Sequence, residues 1–141
     1  MVVNNKQDEF AKNIRELCLK HGIGGVDVDY EHPKSDKDVE TLATIFIALN
    51  KVLKPEGIRI TGAFASKKKF TLKFLEQHHN LLDQINIMNY SKEADKSKSE
   101  LNTLVNKHKV PKEKIYGGIA FYVKETNRRK GKGKNEVEYR D

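Results

Sequence analysis

The sequence of 141 residues contains no tryptophan, a single cysteine and three prolines. Because Cys18 has no second thiol to pair with, no disulfide can form within the chain, and its place in a helical pattern predicts a small buried thiol. No apolar run reaches the roughly 20 residues of a membrane-spanning helix, and residues 1–5 do not resemble a signal peptide. These absences argue against a disulfide-rich scaffold and against a membrane partner.

The composition is that of a globular domain. Hydrophobic residues make up 37% and charged residues 33% of the chain, which is long enough for one domain with a core. The net charge of +7 raises the possibility of a nucleic-acid partner. The lysines are scattered over predicted helices and loops, however, and no nucleic-acid motif accompanies them, so we expect no nucleic-acid binding.

Three carboxylates at alternate positions form the most informative pattern. Successive side chains of a β-strand point to opposite faces, so Asp27, Asp29 and Glu31 are expected to project from one side of a strand. Close carboxylates repel and resist desolvation, and a fold keeps such a row mainly where chemistry or a cation requires it. The row is therefore a candidate active site.

Helix and strand patterns alternate along the chain. The spacing of apolar residues predicts helices at 7–21, from Asp36 as the cap to 53, at 70–82, and from Ser97 or Ser99 as the cap to 105. Runs of β-forming residues predict strands at 25–31, 58–64, 85–90 and 114–122. This order predicts an α/β fold with a parallel sheet.

Parallel α/β folds bind ligands beyond the carboxyl ends of their strands. Polar side chains at those ends should therefore converge on one rim; they are Asp29, Glu31, Asn89, Tyr90, Ser91 and Tyr122.

The pattern fails after the fourth strand. Residues 125–141 are basic and spaced by glycines, which predicts a flexible segment at the start of the following loop. Its Gly-x-Gly pairs have no preceding strand and no following capped helix, so they do not indicate a phosphate loop.

Three segments together carry a resemblance to a known family. Residues 25–33, beginning Gly-Val-Asp-Val-Asp-Tyr-Glu, resemble the signature at the end of the fourth barrel strand in family 18 glycoside hydrolases, the chitinases and endo-β-N-acetylglucosaminidases. Residues 87–91 resemble the family's Met-x-Tyr-Asp segment on strand six, and residues 118–122 its glycine-to-tyrosine segment on strand seven. The resemblance implies that 1–124 is an incomplete (β/α)8 TIM barrel of about four strands, equivalent to strands four to seven.

The sequence also departs from the family pattern. Gly24 stands where the family has the leading aspartate of its signature, and Ser91 replaces the aspartate after the tyrosine. Strands one to three and strand eight have no counterpart, and neither does the tryptophan that the family places under the reacting sugar.

The resemblance also implies roles for the rim residues. Glu31, outermost in the row, is the expected general acid, and the N-acetyl carbonyl of the sugar is the expected nucleophile. Asp29 would hold the acetamido N–H, Asp27 would share a proton with Asp29, and Tyr90 would donate to the acetamido carbonyl. The expected substrate-binding residues are Met88, Asn89, Ser91 and Tyr122. No cofactor or metal is implied. The expected partner is a glycan that contains N-acetylglucosamine, and the parent protein is expected to be secreted.

Two functions other than glycoside hydrolysis are also compatible with the sequence. The acidic row could hold a hard cation or resemble a phosphotransfer site, although neither explains the tyrosines. A carbohydrate-binding, lectin-like relative without turnover is the main alternative to a hydrolase.

Four strands with two free edges and an open face, which we expect to be apolar, should also favour self-association.

Overall fold

The computed structural model describes residues 6–31, 33–90 and 94–118, together with two short strands at 123–124 and 136–137. Helices and strands alternate through the first three ranges, in the order α1 Lys6–His21, β1 Gly25–Asp29, α2 Asp36–Leu53, β2 Arg59–Phe64, α3 Lys69–His78, β3 Gln84–Ile87, α4 Ala94–Asn106 and β4 Ile115–Gly117. Single 3-10 turns follow α2 and α3 and precede β4, at Lys54–Glu56, His79–Leu81 and Lys112–Lys114. None of the helices in these ranges is long and apolar enough to cross a membrane.

The strands β1 to β4 form one parallel sheet in chain order, which confirms the predicted fold class. The register places Thr61 of β2 beside Asp27 of β1 and Gln84 of β3. The strands β5 Val123–Lys124 and β6 Glu136–Val137 pair antiparallel as a separate two-stranded sheet. The sequence pattern did not predict β6, and the remaining residues of 125–141 lie outside the described part, so the flexible segment stays a prediction.

Two predicted helix caps are wrong. Ser35, not Asp36, is the N-cap of α2, because its extended backbone lets the side-chain oxygen accept from the Asp38 amide at 3.2 Å. The helix α4 begins at Ala94, so Ser97 and Ser99 lie inside it and cap nothing. Alanine and an aspartate in the first turn both favour a helix, and they start α4 before the serines are reached.

All four helices contribute to one hydrophobic core with the strands. The side chains that point from β2 and β3 toward the helices are buried and apolar, and Cys18 on α1 is only 1% exposed, as predicted. Phe74 of α3 occupies the centre of this core, with its ring centroid 5.5 Å from that of Phe46 and 5.6 Å from that of Phe64. Aromatic rings at these distances add attraction beyond the area that they bury.

The opposite face of the sheet carries no helix among the described residues, and it is polar. Strand alternation sends the isoleucines and Phe64 to the helix side, so the remaining positions face the other way. Apart from Gly25 and Ala63, these positions hold polar side chains or the phenol of a tyrosine: Asp27, Asp29, Arg59, Thr61, Gln84, Asn86 and Tyr116. The expectation of an apolar open face is therefore wrong, because the large apolar side chains of the strands point toward the helices.

The two outer strands of the sheet, β1 and β4, have one neighbour each within the described residues. The Arg59 amide donates to the Gly24 carbonyl, so that carbonyl points toward β2. Backbone groups alternate along a parallel strand, and those of Asp27 and Asp29 therefore point away from β2 toward the free edge.

These edges lead to a first prediction. The 141-residue chain should form dimers or larger species in sedimentation velocity experiments, because unpaired edge groups pair with another copy. Leu17→Lys is the control, since Leu17 is 49% exposed on the helix α1 and belongs to neither edge strand. The wild-type chain and the Leu17→Lys variant should both associate. A monomeric wild-type chain, or a monomeric variant beside an associated wild-type chain, would contradict edge pairing.

The aromatic centre of the core gives a second prediction. Phe74→Ala should lower the free energy of unfolding by about 3–5 kcal/mol, because it leaves a cavity between two rings. Phe10→Ala, at a position that is 48% exposed on α1, should cost less than about 1 kcal/mol. Urea unfolding followed by circular dichroism measures both variants, and equal losses would show that Phe74 has no special place in the core.

Candidate active site

The first two carboxylates of the acidic row lie where the sequence placed them. Asp27 and Asp29 are exposed on the open face of β1, while the alternate residues Val26 and Val28 pack against the core. The strand ends at Asp29, so Glu31 lies two residues beyond it in the connection to α2 and is exposed. The predicted strand over 25–31 was therefore two residues too long, and the acid follows the strand as part of the rim.

The connection after Glu31 is held at the start of α2. Pro33 is buried, and the Lys34 amide donates to a carboxylate oxygen of Asp38 at 2.7 Å. The Lys34 amide and then the Ser35 hydroxyl keep the pKa of the Asp38 carboxyl below its usual range. This reciprocal capping leaves only a short span between the end of β1 and a fixed helix start, and Glu31 lies within that span.

The predicted residues after β3 differ in their exposure. Met88 is half-buried, and its amide donates to the Phe64 carbonyl at 2.9 Å, which ties it to the end of β2. Tyr90 is 47% exposed, whereas Asn89 is only 5% exposed. The rim therefore presents Tyr90 and part of Met88, while the burial of Asn89 leaves little of its side chain for a ligand.

A glycine at the end of β4 sets the position of the Tyr90 ring. A Cβ atom on Gly118 would lie 2.5 Å from the Cε1 atom of Tyr90 and 3.1 Å from the Ile87 carbonyl oxygen. The Gly118 amide also donates to that carbonyl at 2.8 Å. The ring can lie against the backbone here only because residue 118 has no side chain.

Two further predicted residues, Ser91 and Tyr122, lie outside the described residues. Their roles stay predictions. Within the described ranges no three His, Cys, Asp or Glu side chains are grouped so that they could hold a metal ion.

Sequence reasoning missed the polar partners of Asp27. Its Oδ1 atom accepts hydrogen bonds from the Thr61 hydroxyl on β2 and from the Asn86 amide on β3. The signal was present in the polar residues at alternate positions of β3, Gln84 and Asn86, which period-two alternation places on the face of Asp27.

A second missed feature joins the rim to α4. Glu100 is only 8% exposed, and it binds Ser66 at 2.5 Å and the Lys67 ammonium at 2.6 Å. Ser66 and Lys67 lie two and three residues beyond the end of β2, so this contact fixes the segment at the carboxyl end of that strand. The Lys67 side chain is itself 68% exposed, so the ion pair joins a solvated lysine to a buried glutamate.

Solved structures share the fold of this chain. Catalytic domain 2 of the Ostrinia furnacalis Group II chitinase superimposes with a TM-score of 0.75 at 18% identity, over 97% of this chain and 45% of that one. The chitinase ChiB of Flavobacterium johnsoniae gives a TM-score of 0.67 at 26% identity, over 81% of this chain and 40% of that one. The endo-β-N-acetylglucosaminidase of Cordyceps militaris gives 0.65 at 15% identity, over 86% and 41%. The chain thus spans less than half the length of these proteins.

The sequence comparisons give one family. A search of curated protein sequences found no match. The sequence model of the glycosyl hydrolases family 18, by contrast, matches residues 1–141. Since that match covers the whole chain, and since the sheet has the fold of part of the barrel of family members, the chain belongs to glycosyl hydrolases family 18.

Proposed function

We propose that the complete protein containing this segment is a chitinase-like hydrolase of β-1,4-linked N-acetylglucosamine polymers or N-glycan cores. The observation that carries the proposal is the acidic row, with Asp27 and Asp29 exposed on the open face and Glu31 just beyond the strand. Tyr90 lies at the same carboxyl end of the sheet, three residues beyond the end of β3, and β2 separates β3 from β1. An acid, two further carboxylates and a phenol at one rim can serve glycosidic cleavage.

The ligands of similar proteins support this substrate class. A mutant of the Ostrinia furnacalis domain was solved with penta-N-acetylchitooctaose, and a mutant of the Cordyceps militaris enzyme with fucosyl-N-acetylglucosamine-Asn. Both ligands contain N-acetylglucosamine or its glycosidic derivatives. We extend that class to the present protein because the chain belongs to the same family.

The proposed mechanism retains configuration and uses the substrate as its nucleophile. Glu31 gives its proton to the leaving oxygen while the acetamido carbonyl oxygen of the same sugar attacks the anomeric carbon, which forms an oxazolinium ion. Water then opens that ion, and the Glu31 carboxylate takes a proton from the water. The reaction requires no cofactor.

The other rim residues stabilise the charged intermediate. Asp29 accepts the acetamido N–H, and Asp27 beside it adds negative charge near the developing cation. Tyr90 donates its hydroxyl to the acetamido oxygen, and Met88 forms part of the subsite wall with Ser91 and Tyr122. We expect the 141-residue chain to be inactive by itself, because the remaining walls of the subsites would belong to barrel strands outside it.

A glycan-binding protein without turnover is the second candidate. Three features of the sequence favour it: Gly24 replaces the leading aspartate of the family signature, Ser91 replaces the aspartate after the tyrosine, and the chain has no tryptophan to stack under a sugar. The presence of Glu31 favours the hydrolase, since a binding protein has no use for a proton donor at this position.

The role of Glu31 gives a third prediction. In the complete protein Glu31→Gln should lower kcat on a chitooligosaccharide at least about a hundredfold, because the leaving group loses its proton donor. The affinity for the oligosaccharide should stay within a factor of about three, since an amide keeps the size of the acid.

Glu40→Gln is the matched control, because Glu40 is exposed on α2 and belongs to no site. It should keep wild-type kcat. Wild-type turnover in Glu31→Gln would remove Glu31 from the acid role, and binding without turnover in the wild-type protein would establish the glycan-binding alternative.

A fourth prediction separates substrate assistance from a carboxylate nucleophile. A thiazoline analogue of N-acetylglucosamine should inhibit the complete protein competitively, because it resembles the oxazolinium ion. A substrate with a 2-hydroxyl in place of the acetamido group should not be cleaved. Mass spectrometry after rapid quenching is the decisive measurement, and a glycosyl ester trapped on Asp27 or Asp29 would disprove substrate assistance.

A further inference from the structure

Asp27 differs from the other carboxylates of the row in what holds it. Its Oδ1 atom accepts a short hydrogen bond from the Thr61 hydroxyl and a second one, at 3.0 Å, from Nδ2 of Asn86. The two donors come from β2 and β3, so they pull the carboxylate across the open face, away from the free edge of β1. Donors on two strands thus fix the direction in which the Asp27 carboxylate points.

The Asn86 amide is in turn oriented by its neighbours. Its Oδ1 atom accepts from Nε2 of Gln84 at 2.7 Å, and the Gln84 Oε1 atom faces the Arg59 guanidinium at 3.5 Å. Every donor in this row points toward Asp27, and the row ends on a fixed positive charge. Hydrogen bonds aligned in one direction polarise one another, and a flipped Asn86 amide would set its oxygen against the carboxylate.

Asp29 has no comparable support. The register pairs it with Ala63, which has no polar side-chain atom, and among the residues that the structure describes none donates a hydrogen bond to its carboxylate. Two carboxylates that follow each other on one strand face therefore have different freedom. Asp27 is held by donors on two strands, whereas the register position beside Asp29 offers its carboxylate no side-chain donor.

We propose that Thr61 and the Gln84–Asn86 pair are positioning residues that hold the Asp27 carboxylate in one orientation on the open face of the sheet. The consequence for catalysis rests on the proposed hydrolase function. A fixed Asp27 carboxylate leaves the adjacent space on the open face to Asp29, because the two carboxylates then need not share it. Loss of either donor frees Asp27 to turn toward Asp29 and to displace it from the acetamido N–H.

The side-chain rotamer of Asp27 tests the positioning without any activity. In the 141-residue chain, NMR couplings about χ1 should report one rotamer for Asp27 in the wild type and rotamer averaging in Thr61→Val and Asn86→Leu. Thr61→Ser keeps the hydroxyl and should retain the single rotamer. A single unchanged rotamer in both Thr61→Val and Asn86→Leu overturns the proposal, whether or not the protein is a hydrolase.

Kinetics of the complete protein test the catalytic consequence. Thr61→Val should lower kcat roughly tenfold with little change in KM, because a misplaced group costs transition-state stabilisation rather than binding. Thr61→Ser should restore kcat to within a factor of about two, a rescue that a purely structural role of the methyl group would not give.

Thr44→Val is the matched control, since the exposed Thr44 hydroxyl donates only to a carbonyl of its own helix, at 2.7 Å. It should leave kcat unchanged. Wild-type kcat in Thr61→Val, or a loss that Thr61→Ser does not reverse, overturns the positioning role. A wild-type protein without turnover would disprove the hydrolase function alone, and the rotamer measurement would still decide whether Thr61 and Asn86 hold Asp27.

Discussion

The parallel pairing of β1, β2 and β3 is the constraint on which the site depends. Parallel strands end at the same edge of a sheet, so residues that are far apart in sequence meet there without any further device. The register brings Asp27 beside Thr61, and Thr61 beside Gln84. A shift of one residue would turn Asp27 and Asp29 toward the phenylalanine core and leave buried carboxylates without partners. The burial of Phe46, Phe64 and Phe74 thus holds the acidic row on the opposite face.

The two faces of the sheet carry different kinds of side chain. The helix-covered face holds the buried side chains, with Phe74 in contact with two other rings. The open face holds a row of amide, hydroxyl and carboxylate groups that bind one another. Exposing such a row to water costs little free energy. The row becomes well ordered when a barrel encloses it, because each donor already has an acceptor. The polar open face therefore suits the interior of a substrate-binding barrel better than a general hydrophobic interface.

Much of the fold could be predicted from local patterns. The alternation of helix and strand, the parallel sheet and the exposure of Asp27 and Asp29 all follow from side-chain period and from the length of the connections. The ends of elements could not be predicted equally well. Glu31 lies beyond its strand and Ser35 caps α2, because both ends depend on how the chain turns onto the capping contacts with Lys34 and Asp38.

Residue types and their spacing along the chain were enough to establish the family, the order of elements and the identity of the acidic row. The groups that hold that row became visible only in the folded chain. The partners of Asp27 come from two other strands, 34 and 59 residues away in sequence. The exposure of Tyr90 beside Gly118 and the burial of Asn89 were likewise decided by packing between strands. The period-two pattern of one strand does not reveal how that strand is aligned with its neighbours, because the alignment is set by the packing of all the helices against one face of the sheet.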